Sequence, residues 1–149
     1  MLAAVLTASA QEKYKTLRDI PYISSSDTSA YRRERCKLDI NMPVGKKGFK
    51  TIVWFHGGGL EGGNKEFRPE LMNCGIAQVA PNYRLFPRCK CPDYTRDAAA
   101  AVAWTVRHIA EYGGDPTQGY VGGHSAGGYL TLMLALDKDY LAEYGVDAD

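Results

Sequence analysis

The chain has 149 residues, 45% hydrophobic and 23% charged, with a formal net charge of +1. That is the size and composition of one globular domain able to bury a sizeable core. Its 18 Lys and Arg are spread along the sequence, so nothing points to a nucleic-acid partner, and no stretch is long and apolar enough to form a membrane-spanning helix.

Residues 1–10 form a short apolar run closing in Ala8-Ser9-Ala10, an A-x-A cleavage pattern with no basic segment before it. They are read as the tail of a secretory leader that begins upstream, which places the protein in the periplasm or outside the cell. Residues 11–149 are then the N-terminal part of one domain. Leu17–Tyr22 and Cys36–Met42 are expected strands. In the second, Cys36, Leu38 and Ile40 alternate with Arg35, Lys37 and Asp39, so the basic run from Tyr31 to Lys37 is read as leading into a solvated strand face. Pro43–Gly48 is a turn. Thr51–Phe55 is a continuous apolar run, typical of a strand covered on both faces. A short helix is expected over Lys65–Asn73, then an apolar strand over Ile76–Ala80.

The clearest helix runs from about Tyr94 to Tyr112, where Ala98, Ala101, Val102, Thr105, Ile109 and Tyr112 recur at helical spacing. Asp93 is its expected N-cap, Asp97 favours its first turn electrostatically, and Gly113-Gly114 is its stop. A short strand, Gly119–Gly122, and a helix, Ala126–Leu136, complete the pattern. Strands alternating with helices of this length argue for an α/β sheet, mostly parallel. The four cysteines (Cys36, Cys74, Cys89 and Cys91) admit three full pairings and select none; reduced, packed thiols are the simpler expectation. Cys89-Lys90-Cys91 lacks the second Cys or His cluster that a zinc site needs. No metal or organic cofactor is suggested.

Two motifs carry chemistry. Gly123-His124-Ser125-Ala126-Gly127 fits the G-x-S-x-G nucleophile elbow, flanked by a strand and a helix as that turn requires. His56-Gly57-Gly58-Gly59 follows the strand Thr51–Phe55, where backbone N–H groups can turn into a crevice as an oxyanion hole needs. A phosphate loop does not fit, because no glycine precedes Lys65 and Glu66 follows it.

The segments "WFHGGGLEGGNKE", "PNYRL", "DAAAAVAWTVRHIAEYGGDP" and "GHSAGG" resemble the α/β-hydrolase superfamily. More narrowly, they resemble the bacterial esterase/lipase group related to hormone-sensitive lipase and to bacterial feruloyl and acetyl esterases, over residues 17–149. The resemblance implies the α/β-hydrolase fold, a three-layer α/β/α sandwich whose first strands are antiparallel and the rest parallel, here in its N-terminal portion. It implies Ser125 as nucleophile, Gly58, Gly59 and the Ala126 backbone N–H as oxyanion donors, and a small-molecule ester as substrate.

The triad order in this fold is Ser, then Asp or Glu, then His, and no histidine follows Ser125. His56 belongs to the glycine loop, His124 adjoins the nucleophile and His108 lies mid-helix, so none is a credible base. Base and acid are therefore expected beyond residue 149, in a further portion of roughly 100 residues by the size of such domains. Without that portion, Gly119–Gly122 would be an open sheet edge through which chains could associate. Two other readings stay open: a prolyl-oligopeptidase-like serine peptidase, and a non-catalytic hydrolase-like module. Tyr83, Phe86 and Tyr129 could line an acyl pocket or simply pack.

Overall fold

The computed structural model describes residues 13–147; the leader read at residues 1–10 lies outside them. Strands Tyr14–Pro21 (β1), Lys37–Pro43 (β2), Phe49–Phe55 (β3), Ala77–Pro81 (β4) and Gly114–Gly123 (β5) form one sheet in the order β1-β2-β4-β3-β5. β1 with β2 and β2 with β4 pair antiparallel; β4 with β3 and β3 with β5 pair parallel. The expected antiparallel start and parallel continuation are both present. β5 ends the sheet among the described residues.

Helices Asp93–His108 (α2) and Ala126–Leu136 (α3) pack against each other and against β3 and β5, on one face. Phe49, Thr51, Val53 and Phe55 are the buried, alternate residues of β3. With Leu38, Ile40 and Val79, and with Leu130 and Leu134 of α3, the apolar members of that set form the core. Fully burying an aliphatic or aromatic side chain of this size stabilises by about 1.5–3 kcal/mol. α2 reaches the sheet with small side chains: Ala98, Ala99, Ala100, Ala101 and Ala103 are all buried, which lets the helix axis come close. On the opposite face, the segment between β3 and β4 covers Trp54 and Gln78. The Arg68 guanidinium sits 5.5 Å from the Trp54 ring, and Arg68 N donates to Gln78 Oε1 at 2.8 Å.

Several local expectations are corrected. The basic run does not lead into a solvated strand face. Ala30–Arg35 is a short helix (α1), capped by Ser29 Oγ, which accepts from Arg32 N at 3.2 Å. Asp39 is not solvated either, being 2% exposed. It accepts from Arg18, from the Asp19 backbone N–H and from Lys65. β2 is covered on both faces because those cations neutralise a carboxylate that would otherwise be costly to bury. Lys65–Asn73 is not a helix; only a 3-10 turn, Pro69–Leu71, forms. The helix fails because Lys65 N and Arg68 N donate to Asn82 Oδ1 and Gln78 Oε1, and because Arg68, before a proline, is held extended.

α2 begins at Asp93 itself, with Pro92 at the cap position and no side-chain cap, and its last turn, Ile109–Tyr112, tightens to 3-10 before left-handed Gly113 at φ 98°. Asp97, expected to favour the first turn of α2 electrostatically, lies just beyond that turn and is engaged by arginines instead. It is fully buried and takes Arg84 Nε at 2.7 Å, Arg84 Nη2 at 3.0 Å and Arg32 Nε at 3.1 Å. Burial works against the two arginine charges, but Asp97 together with Tyr144 and Asp27 at Arg32, and together with Asp93 at Arg84, more than offsets it and both guanidinium pKa values rise. Removing one partner of such a buried pair typically costs about 3–5 kcal/mol. The α2–α1 corner is therefore locked by charge. β5 is longer than Gly119–Gly122, although its continuous register with β3 starts at Gly119.

Candidate active site

Ser125 stands between β5 and α3 with φ 52° and ψ −114°, a conformation non-glycine residues rarely adopt. Such strain is what a sharp strand-to-helix elbow imposes on the residue at its tip. The flanking glycines are sterically required. A Cβ on Gly123 would lie 2.3 Å from Gly127 C, and one on Gly127 only 2.0 Å from Phe55 O. The turn is further tied to β3 and closed on itself, since His124 N donates to Phe55 O at 3.2 Å and Gly127 N to His124 O at 2.9 Å. Ser125 is exposed, and its hydroxyl has no hydrogen-bond partner among the described residues.

The glycine loop leaves β3 and folds back over this elbow. Gly58, Gly59 and Leu60 all have positive φ, at 116°, 64° and 64°. Glu61 N and Gly62 N both donate to Gly58 O, at 3.1 and 3.0 Å. A Cβ on Gly58 would lie 2.3 Å from Gly62 O, so the turn needs glycine there for space as well as for φ. The close approach to Ser125 is made by Gly57, whose virtual Cβ lies 3.4 Å from Ser125 Cβ and 2.9 Å from His124 Nδ1. Sequence reasoning named Gly58 and Gly59 and missed Gly57. Among the described residues, the N–H groups of Gly58, Gly59 and Ala126 donate no hydrogen bond. Ala126 is the first residue of α3, where N–H groups have no helical partner and the dipole favours negative charge. A shallow cavity of about 290 Å³ opens beside this contact, lined by His124, Gly57, Gly58, Asn64 and Glu66 among others. A larger one of about 490 Å³ lies between α2 and β5 and is lined by neither Ser125 nor the glycine loop; position beside the elbow outweighs size here.

The loop is braced from behind by the stretch after β4. Tyr83 is fully buried, stacks on His56 at 4.5 Å between ring centroids, and donates its OH to His56 O at 2.8 Å. Burial pushes its phenol up to about 12, so it stays a donor. Phe86 N donates to Leu60 O at 2.8 Å. Arg84, next to Tyr83, is the residue held by Asp97. At the loop's far end, Lys65 bridges Asp19 and Asp39 at 2.8 and 2.6 Å. Burial lowers the Lys65 pKa, but these carboxylates raise it further, and Lys65 in turn lowers that of Asp19. Tyr83 is thus part of the brace, whereas Phe86 and Tyr129 are exposed.

None of the three histidines is set up as a base for Ser125. His56 is 2% exposed, with Nδ1 2.7 Å from Gly57 O. A carbonyl only accepts, so Nδ1 carries the proton; Nε2 is buried with no partner among the described residues. Burial lowers the His56 pKa and keeps the ring neutral. His108 is paired with Glu111 at 2.8 Å on the surface of α2. His124 is exposed, its ring nitrogen directed at Gly57. All four cysteines are free thiols, and burial raises Cys36 to about 12 and Cys89 to about 11. Among the described residues no cluster of His, Cys, Asp or Glu could hold a metal ion.

A sheet with an antiparallel start and parallel continuation, a strand–Ser–helix elbow and a glycine loop over it together define an α/β-hydrolase fold. A profile of the BD-FAE family matches residues 38–145, and the chain belongs to that family. It is 34% identical over 109 residues to a rice (Oryza sativa subsp. japonica) protein named a probable isoprenylcysteine alpha-carbonyl methylesterase, covering 70% of this chain and 26% of that one. It is 33% identical over 98 residues to carboxylesterase NlhH of Mycobacterium tuberculosis (strain CDC 1551 / Oshkosh), covering 62% and 31%. Its fold is similar to that of esterase B from Lactobacillus rhamnosis, with a TM-score of 0.72 at 22% identity over 90% of this chain and 44% of that one. The chain spans about a quarter to a third of the length of these two curated relatives.

Proposed function

We propose that the complete protein hydrolyses carboxylic esters, with Ser125 as nucleophile. The observation that carries this reading is the strained, exposed Ser125 at the start of α3, beside a loop and a helix end whose Gly58, Gly59 and Ala126 N–H groups donate no hydrogen bond among the described residues. In this reading Ser125 Oγ attacks the acyl carbon and loses its proton to a histidine base. The carbonyl oxygen takes up negative charge, which those three N–H groups stabilise. Collapse expels the alcohol, which takes the proton back from the base. Water, deprotonated by the same base, then attacks the acyl-enzyme and releases the acid. The base and its carboxylate partner are assigned to protein beyond residue 149, since His56, His108 and His124 are each otherwise engaged or misplaced.

The names of the relatives, a methylesterase and a carboxylesterase, support an ester as the bond cleaved. The Ala8-Ser9-Ala10 run supports export. Purified complete protein should turn over simple aryl esters and leave peptidyl anilides intact. Anilide cleavage without ester turnover would replace this reading with a peptidase. Failure on both, with the complete protein folded, would leave a non-catalytic module.

A further inference from the structure

We infer that Arg35 is a positioning residue for the oxyanion loop, a clamp that holds the glycine turn at its working distance from Ser125. The inference rests on the ester-hydrolase reading and adds a residue that no catalytic motif contains. Arg35 ends α1, far from the elbow in sequence, and its guanidinium spans two segments. Nε donates to Tyr83 O at 3.1 Å, Nη2 to Gly63 O at 3.1 Å, and Nη1 to Asn64 Oδ1 at 2.9 Å.

The geometry makes these bonds more than surface decoration. Among the described residues, the only hydrogen bonds made within Gly58–Gly62 are those from Glu61 N and Gly62 N, both to Gly58 O. Gly58 and Gly59, lacking a Cβ, have many alternative conformations once released, and Leu60 beside them is held at a positive φ of 64°. The turn is therefore ordered from outside. Its near end is fixed by the Tyr83 OH on His56 O. Its far end, Gly63 and Asn64, is fixed by Arg35, which grips the backbone of the same Tyr83. One side chain thus closes a ring that runs from His56 through the glycines to Asn64 and back through Tyr83. A planar guanidinium spreads its donors over a rigid fork that reaches two segments at once, whereas the three donors of an ammonium turn about a single nitrogen. Gly63 leaves room for this closure, since a Cβ there would lie 2.4 Å from both Gly57 O and His56 Nδ1.

The test uses complete protein carrying Arg35→Ala, Arg35→Lys or Arg35→Gln, with Arg33→Ala on the same helix as control. A misplacement of about 1 Å away from the chemistry can cost roughly 10²-fold. Arg35→Ala should therefore lose about 10- to 100-fold in kcat per fluorophosphonate-titrated site, with KM within about threefold. Millimolar guanidinium should restore part of the loss, and Arg35→Lys should recover less than the guanidinium does. The Glu61 and Gly62 amides should exchange with solvent faster in Arg35→Ala and Arg35→Gln than in Arg33→Ala. A parent that turns over esters alongside Arg35 variants with unchanged kcat would overturn the clamp. Unchanged amide exchange would overturn it without reference to activity. A parent with no turnover but faster exchange in the variants would instead sink the ester reading and leave the clamp as a loop-ordering contact only, which contradicts the positioning role.

Discussion

Gly57→Ala probes the contact between glycine loop and elbow, and the structure sets the size of its effect. The new methyl would sit 2.9 Å from His124 Nδ1, 3.1 Å from His124 O and 3.4 Å from Ser125 Cβ. The His124 ring is exposed and can turn away. Its carbonyl cannot, because it accepts from Gly127 N at 2.9 Å inside the elbow. Relief then requires the loop to move by a few tenths of an ångström, away from the position at which Gly58 and Gly59 would meet an oxyanion. If about 1 Å costs roughly 10²-fold, a third of that costs about three- to tenfold in kcat. Overpacking of this kind destabilises by about 1–3 kcal/mol, so the variant should fold. The assay is kcat and KM on an aryl ester with the complete protein, together with thermal unfolding. A kcat equal to that of the parent in a variant with lowered melting temperature would mean that the wedge is felt by the fold and not by the loop's N–H groups.

Tyr83→Phe keeps the ring on His56 but leaves the His56 carbonyl without its donor. Unfolding in urea should show a loss of about 1–3 kcal/mol, the cost of an unsatisfied buried acceptor, and no loss would mean that water replaces the hydroxyl. Burial lowers the His56 pKa from the ordinary 6.5, so below about pH 6.5 the unfolded chain binds a proton that the folded one does not. The neutral ring's stabilisation is complete above that pH and is lost as pH falls towards the lowered folded value. Denaturation between about pH 7 and pH 5 should show that slope in the parent and less of it in His56→Asn; equal slopes would contradict it. Among the described residues β5 pairs on one side only, with β3, and Tyr120 is 52% exposed. The 149-residue chain should run as an associated species in light scattering, and Tyr120→Lys should shift it towards monomer; a monomeric parent would refute the association.

The parts of the fold set by local pattern were legible in the sequence. The run Thr51–Phe55, the alanine-rich face of α2 and the elbow between β5 and α3 each follow from periodicity or from a steric need within a few residues. The misreadings share one cause, partners far away in sequence. Asp39 looked solvated because its cations, Arg18 and Lys65, lie 21 and 26 positions away. α1 is too short to announce itself, and its Arg32 finds Asp97 at a separation of 65. The expected helix at Lys65–Asn73 lost its backbone donors to Gln78 and Asn82 side chains. At the site, the motif letters picked out Ser125 and the loop. That Gly57 touches the elbow, and that Tyr83 and Arg35 brace the loop, depends on packing between separate segments and has no local signature.

The most direct test of the account is covalent labelling of the complete protein with a fluorophosphonate, read by intact mass and peptide mapping. A serine activated at this elbow should take one probe per chain on the peptide containing Ser125, and Ser125→Ala should take none while keeping its fold. Labelling that persists at equal stoichiometry in Ser125→Ala, or that maps to another residue, would mean that Ser125 is not the nucleophile.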